Sequence, residues 1–296
     1  MNTPPEPAQR RSRGTVVVCG ATGYLGGHVV RALYDDGWRV RALVRDAGRL
    51  GDAADYCDDV FVGRPTEPDS IDGLFDGADA AFSSIGTRSF GRRPSFRDVD
   101  ERANLNLVDA AERAGVGRFV FVSILRGDEL RAASPLIEAR ERVVDRLRAG
   151  PMTETIIRPT GFFNDMRAFR DMAERGRVWL IGDRRTRINP IHGADLAEVI
   201  REAFASDDTS DRSVGGPDVL SQADVAHLAF EGAGRRTEKV STVPSGVVRA
   251  IGRLIGPVNP NAGANLRMFA VMGEQDMVGE PIGTHHLADE FTRTGP

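Results

Sequence analysis

Apolar residues in the first half of the chain fall in short, β-branched runs separated by stretches of helical period. TVVVC (15–19), WRVRALV (38–44), DDVFVG (58–63), ADAAFSS (78–84), GRFVFVS (117–123) and TETIIRP (153–159) read as strands. The segments 24–36, 99–114 and 135–149 read as helices between them. This alternation predicts a parallel sheet covered on both faces and wound through right-handed crossovers, an α/β fold of the doubly wound, Rossmann type. After about residue 160 the rhythm changes to longer helical stretches, at 160–175, 193–205, 221–232, 246–255 and 264–278, with isolated short strands. No Ser/Gly-rich linker and no repeat divides the halves. The expected organisation is a disordered tail over 1–13, a doubly wound core over 14–160, and a smaller, mostly helical lobe over 161–296. That lobe would pack on the carboxyl edge of the sheet and cover a substrate.

One helix breaks its own pattern. In SPLIEARERVV (134–144), Ser134 reads as an N-cap and Pro135 as a first-turn residue. At about 100° per residue, Leu136, Val143 and Leu147 share a face, while Glu138, Glu141, Arg142, Asp145 and Arg148 lie well away from it. Arg140 points with the apolar set. A guanidinium there requires an anionic or hydrogen-bonding partner, because an unpaired buried charge is costly.

Gly20-Ala21-Thr22-Gly23-Tyr24-Leu25-Gly26 joins the first strand to the first helix with the spacing G-x-x-G-x-x-G. Glycines at that junction keep the turn tight and let backbone N–H groups, with the helix dipole behind them, approach a pyrophosphate. The strand–turn–helix context makes this a candidate dinucleotide loop, assigning Gly20, Thr22, Gly23, Tyr24, Leu25 and Gly26 to cofactor binding. The second strand ends in RALVR, with Arg45 at its tip and Arg49 one turn later. An arginine there favours a ribose 2′-phosphate, hence NADP, where an acid would favour the free diol of NAD. Asp46, one place beyond, is expected to cap the next helix but leaves NAD open.

Composition narrows the remaining choices. A chain of 296 residues with 41% apolar content can bury a sizeable core. The net charge of -4, with arginines scattered among acids, gives no reason to expect nucleic acid; Arg10, Arg11 and Arg13 read as a solvated terminus. Cys19 and Cys57 are too few for a disulfide framework or metal site and read as buried thiols in a reducing compartment, the cytoplasm. No apolar run approaches the ~18 residues of a membrane span, and MNTPPEPAQRRSR lacks the apolar core of a signal peptide. Lys239 is the only lysine, and Tyr24, Tyr34 and Tyr56 are the only tyrosines.

Taken together, GATGYLG (20–26), LVR (43–45), FVFVSILRG (119–127), the helix holding Arg140, IIRPTGFFNDM (156–166) and GDRRTRINPIHGADLA (182–197) resemble the atypical short-chain dehydrogenase/reductases. The resemblance is to their NmrA-like, NAD(P)-binding branch and covers about residues 14 to 292. The last two segments are also similar to divinyl chlorophyllide 8-vinyl reductases. The resemblance implies that Ser83, Ser84 and Ile85, with Gly86, contact the cofactor ribose, that Ser123 is the catalytic serine, and that Pro159 and Thr160 flank the nicotinamide.

Two departures qualify it. Founding members of the family carry Tyr-x-x-x-Lys on the helix after the fifth strand; here Arg140 stands in the lysine's place and Leu136 in the tyrosine's. Arg64 in VGRP stands where the family usually has an acid near the adenine. An arginine stays protonated near neutral pH, so Arg140 can hold a ribose or polarise a carbonyl but cannot exchange a proton. Arg126 in SILRGDEL is a second candidate for steadying negative charge. The expectation is an NADP-dependent oxidoreductase that transfers hydride to a hydrophobic or conjugated small molecule, water supplying the proton. The alternative is an NADP(H)-sensing regulatory or scaffold protein without catalysis; sugar epimerisation would need the same absent tyrosine. His192 in NPIHGADLA is expected to bond local backbone rather than act as a catalytic acid. His285 and His286 have no carboxylate or thiolate at ligand spacing in the sequence, so no metal is expected. Asn164 and Asp165 would open the substrate lobe, with Phe162 and Phe163 in the core or walling a pocket.

Overall fold

The computed structural model describes residues 13–87, 90–206 and 208–292. In chain order its strands are β1 (Thr15–Cys19), β2 (Arg39–Val44), β3 (Asp59–Val62), β4 (Ala80–Ser83), β5 (Arg118–Val122), β6 (Thr153–Pro159), β7 (Val178–Ile181), β8 (Arg187–Ile188), β9 (Ser210–Gly215), β10 (Leu220–Ser221), β11 (Val240–Val243) and β12 (Glu280–Pro281). Its α-helices are α1 (Tyr24–Asp35), α2 (Asn104–Arg113), α3 (Gly127–Leu130), α4 (Pro135–Arg148), α5 (Phe163–Glu174), α6 (Gly193–Ala205), α7 (Gln222–Gly232), α8 (Ser245–Ile255), α9 (Pro260–Met272) and α10 (Leu287–Thr292). A π-helical stretch, Arg97–Ala103, runs directly into α2.

The eight-stranded main sheet has the order β12-β9-β6-β5-β4-β1-β2-β3, and every pairing in it is parallel. Such a sheet needs apolar cover on both faces, and the alternation of β1 supplies it: Val16 and Val18 enter one core layer, Val17 and Cys19 the other. Leu25, Val29, Val30 and Leu33 of α1, with Leu196 and Ile200 of α6, close the first layer. Leu107, Val108 and Ala111 of α2, with Val143, Val144 and Leu147 of α4, close the second. The fold is the doubly wound α/β architecture that the strand–helix alternation predicts.

All six early strands lie within two residues of their expected bounds, because each is a buried run between turn residues. Three later features differ from expectation. β9 and β12 extend the main sheet beyond residue 160; both are short, and β9, SDRSVG, is half exposed and carries no apolar signature. The helix expected at 264–278 starts at Pro260, because Asn259 caps it through Ala262 N–H and Pro260 takes the first turn. Of the expected disordered tail, residues 1–12 lie outside the described residues, and Arg13 is ordered, its N–H donating to Gly37 O and its guanidinium 3.2 Å from Asp36.

Candidate functional site

β1 and β4 are neighbours, and from them the strand order proceeds in opposite directions, to β2 and to β5. Loops at the carboxyl ends of two such strands diverge and leave a crevice between them. Gly20 enters it with φ of +102°, and a Cβ there would lie 2.8 Å from Ser84 Oγ. On Gly26 a Cβ would lie 2.0 Å from the Gly20 carbonyl oxygen, so only glycine lets α1 begin this close to β1. Gly23 is the N-cap of α1; no side chain caps it, and the first turn carries no acid. The uncapped amides and the positive end of the helix dipole are therefore available to an anion. Thr22 is exposed beside them. Leu25 is core, and Tyr24 turns its ring to α6, where its hydroxyl accepts from Gly193 N–H at 3.0 Å. Those two residues offer the loop their backbone rather than their side chains.

At the tip of β2, Arg45 and Arg49 are exposed, and no carboxylate of the described residues pairs with either. Asp46 accepts from Gly48 N–H at 3.0 Å and caps the 3₁₀ turn Ala47–Arg49, as expected of it. The exposed Arg64 has its backbone braced by Ser70, whose Oγ accepts the Arg64 N–H at 2.8 Å.

Beyond β4 the structure separates residues that the sequence grouped. Ser83 is fully buried and donates to Asn104 Oδ1 at 2.6 Å, so its hydroxyl belongs to the sheet–α2 packing. Ser84 and Ile85 are half-buried at the crevice, and Gly86 is exposed. Directly beneath Gly86 sits the partner that Arg140 requires: Nη1 donates to Asp100 Oδ1 at 2.6 Å, and a Cβ on Gly86 would lie 2.7 Å from the guanidinium. Arg140 also donates to the Ile85 and Val122 carbonyls, while Asp100 accepts the Thr87 N–H at 2.9 Å. The pair thus ties α4, the π-helical stretch and both strand-end loops together. One donor is left over. Arg140 Nε is buried without a hydrogen-bond partner.

A second buried ion pair starts from the very next residue of the same helix. Glu141, which the helical wheel puts away from the buried face, is 1% exposed. Its carboxylate accepts from Ser123 Oγ at 2.7 Å and from Arg158 Nη1 and Nη2 at 2.7 and 3.0 Å. Arg158 also donates to Asp211 Oδ1 and to the Ile124 carbonyl. Burial works against the charge of Arg158, and its bonds to Glu141 and Asp211 outweigh that, holding its pKa above the ordinary value. The wheel misplaced Glu141 because it knows only α4, whereas β6 brings a cation over that flank. The signal available in the sequence was Arg158 itself, a charge inside the apolar run TIIRP.

Pro159 and Thr160 end β6 buried, with Thr160 Oγ1 donating to Asn189 O at 2.5 Å. Arg126 takes a left-handed φ of +52° and is bound by Glu129 and by Gln275 Oε1 at 3.0 Å. His192 caps α6, its Nδ1 accepting from Ala194 N–H. Its ring stacks on His285 at 4.1 Å, and burial, with His285 and His28 nearby, lowers its pKa to about 4. The chain's long-range folding gives His285 a carboxylate, Asp195 at 2.8 Å, and His286 another, Asp218 at 2.9 Å, which sequence spacing did not reveal. Phe163 is core and Phe162 half-buried. Burial raises the Cys19 pKa, and burial with Asp58 raises that of Cys57 to about 11, so neither is a ready thiolate.

Comparison with known proteins places this arrangement. The NmrA-like family matches residues 12–289. A ceramide reductase of Caulobacter vibrioides is 30% identical over 190 residues, covering 63% of this chain and 59% of the relative, less than two thirds of that relative's own length. The chloroplastic divinyl chlorophyllide a 8-vinyl-reductase of Zea mays is 27% identical over 281 residues, covering 84% of this chain and 68% of that protein. Among solved structures, the Escherichia coli NADPH-dependent quinone oxidoreductase QOR2, complexed with NADPH, shares the fold at a TM-score of 0.68 and 17% identity, covering 93% of this chain and 98% of that one.

Proposed function

This chain belongs to the NmrA-like family, and from that premise we propose that it is an NADP(H)-dependent reductase of a hydrophobic or conjugated small molecule. The observation that carries the reading is the crevice itself. An uncapped α1 start with glycines that no side chain could replace faces the strand-end loops, and two unpaired arginines stand at the tip of β2. In this reading the amides of residues 23–26 hold the pyrophosphate, Arg45 the 2′-phosphate, and Ser84 and Ile85 the ribose. Arg140 braces the Ile85–Gly86 loop, and its free Nε–H is assigned to a ribose hydroxyl. With α6, β9 and β12 belonging to the main sheet and its cover, substrate cover is assigned to the rest of the chain after residue 160, α5 and α7 to α10 with the short strands between them.

NADPH, when bound, supplies a hydride. The chain's own part follows from its hydrogen bonds. The Ser123 proton is directed at a carboxylate that can only accept, so Ser123 presents lone pairs to a substrate and can orient a donor group on it. Proton delivery falls to water, which suits acceptors such as quinones, enones or imines, whose reduced product takes its proton without a dedicated acid. Mixing the protein with NADPH and a panel of these acceptors, and following cofactor absorbance, tests the reading. Turnover on at least one acceptor is expected. Tight NADPH binding with no turnover on any would favour a second reading, a dinucleotide sensor without chemistry. The commitment of both Ser123 and Arg140 to internal carboxylates is the observation on that side.

A further inference from the structure

We propose that the α8–α9 hairpin seats this protein on an anionic lipid surface. The inference is independent of the dinucleotide reading and rests on the outer face of α8. Val247, Ile251 and Leu254 recur at the spacing of one helix face, with Ile255 beside them and Val258 in the turn that follows, and all five are exposed, Leu254 at 79%. The fold does not need this face apolar. α8 packs chiefly on α9 through Val248 and Gly252, and a Cβ on Gly263 would lie 2.5 Å from Gly256 Cα, so the two backbones already touch closely at the hairpin's turn. An isolated exposed leucine is ordinary, but a continuous stripe on one helix marks a surface that something covers.

Charge decides what covers it. The protein is net negative, yet no aspartate or glutamate occurs between Glu238 and Glu274, while Arg249, Arg253 and Arg267 fall within that span. Arg253 is exposed with no ion-pair partner among the described residues, and Arg249 is held by Glu274. Arg267, half-buried, donates to the Ala133 carbonyl at 3.1 Å, and burial, with Arg253 and Arg249 close by, lowers its pKa. A second copy of this chain would set like charges against each other across a symmetric contact, which is unfavourable. An anionic lipid surface takes both features, the stripe entering the acyl boundary while Arg253 meets a headgroup in a neighbourhood that the other arginines keep positive. α8 spans 11 residues, about 16 Å, so it lies in the interface and does not cross it. Phe90, half exposed on a loop tied to α9 by Asn259 Nδ2 at 2.8 Å and followed by the exposed Arg92 and Arg93, continues the same chemistry beside the turn.

Flotation of the full chain with vesicles tests this. With phosphatidylcholine containing about a third phosphatidylglycerol, the protein is expected in the lipid fraction, and with phosphatidylcholine alone it is expected to stay in the aqueous one. Leu254→Glu and Ile251→Glu should each lower the bound fraction about tenfold, with thermal unfolding unchanged because both side chains are exposed. Arg253→Glu should weaken binding to the anionic vesicles only. Absence of the wild-type protein from the lipid fraction, equal binding to both vesicle types, or wild-type binding by Leu254→Glu overturns the proposal. So does a dimer in light scattering that Leu254→Glu dissociates while vesicles recruit nothing, which would give the stripe to a second copy.

Discussion

The Ser123 hydroxyl and the Glu141 carboxylate lie 2.7 Å apart in the interior, and the same carboxylate closes a two-pronged pair with Arg158. A cation and an anion removed from water repay their desolvation only when every oxygen and proton is matched, and here Asp211, Ile124 O and Ser123 complete the set. β5, β6 and α4 are thereby locked at one point, directly behind the crevice.

Removing one member should therefore be worse than softening it. Glu141→Ala takes the two-pronged carboxylate from buried Arg158, leaving it only Asp211 and the Ile124 carbonyl, and is expected to lose about 3 kcal/mol in urea unfolding. Glu141→Gln keeps an acceptor for one of the two donors and should lose clearly less. Equal losses for the two variants would show that packing, not charge, dominates at this point.

Arg140 and Asp100 follow the same logic with a different readout. Arg140→Leu strands a buried carboxylate and should also lose about 3–5 kcal/mol; adding Asp100→Asn removes the stranded charge and should return part of that loss. In the reductase reading, the double variant should still bind NADPH more weakly than the wild type, since the Nε–H is gone. A stable double variant with wild-type affinity would leave Arg140 a purely structural cation.

How much of this was legible beforehand depends on the range of the forces involved. β1 to β6 are local objects, apolar runs bounded by turn residues, and they sit where the pattern put them. Arg140 announced its need for a partner by lying among Leu136, Val143 and Leu147, but Asp100 could not be named, because the π-helical stretch that turns it inward is joined to α4 only by tertiary packing. Glu141 falls outside the apolar arc of its own helix for the same reason, and the carboxylates that meet His285 and His286 lie far away in sequence. Patterns within one element report which face is buried; they are silent on what the neighbouring element brings to it.

The glycines of the loop offer a contrast within one helix. Gly26→Ala places a methyl against the Gly20 carbonyl, so the loop must shift; about 2 kcal/mol or more of stability and the dinucleotide affinity should both fall. Gly27, one residue on, has only Ala21 O at 4.0 Å from its hypothetical Cβ. Gly27→Ala should be neutral or gain up to about 1 kcal/mol from a stiffer unfolded chain. Thermal melts with and without NADPH separate the two effects.

Arg45 carries the choice of cofactor. With Asp46 occupied at Gly48 N–H, Arg45→Asp removes the cation nearest the expected 2′-phosphate and puts an anion there. NADPH binding should weaken at least about tenfold and NADH binding change far less. Titration of both cofactors into the variant checks this, and equal losses would sink the 2′-phosphate assignment.

His192 has its pKa lowered from 6.5 to about 4, by burial first and then by His285 and His28, with Asp195 and Glu290 pulling the other way. The same causes lower the pKa of His28, with Arg31 in place of His192 as its other cationic neighbour. A lowered histidine pKa means the unfolded chain binds more protons between pH 6.5 and about 4. Stability is therefore full above that window and declines as pH falls through it. Because His192 keeps some solvent contact, we expect only about 1 kcal/mol from it after screening. His192→Asn keeps an N-cap for α6 and removes the titration. Between about pH 7.5 and about pH 5, urea unfolding of the wild type should lose that much more than the variant. Parallel pH profiles would mean that His192 is already solvated in the folded protein, and that the stack with His285 does not hold it neutral.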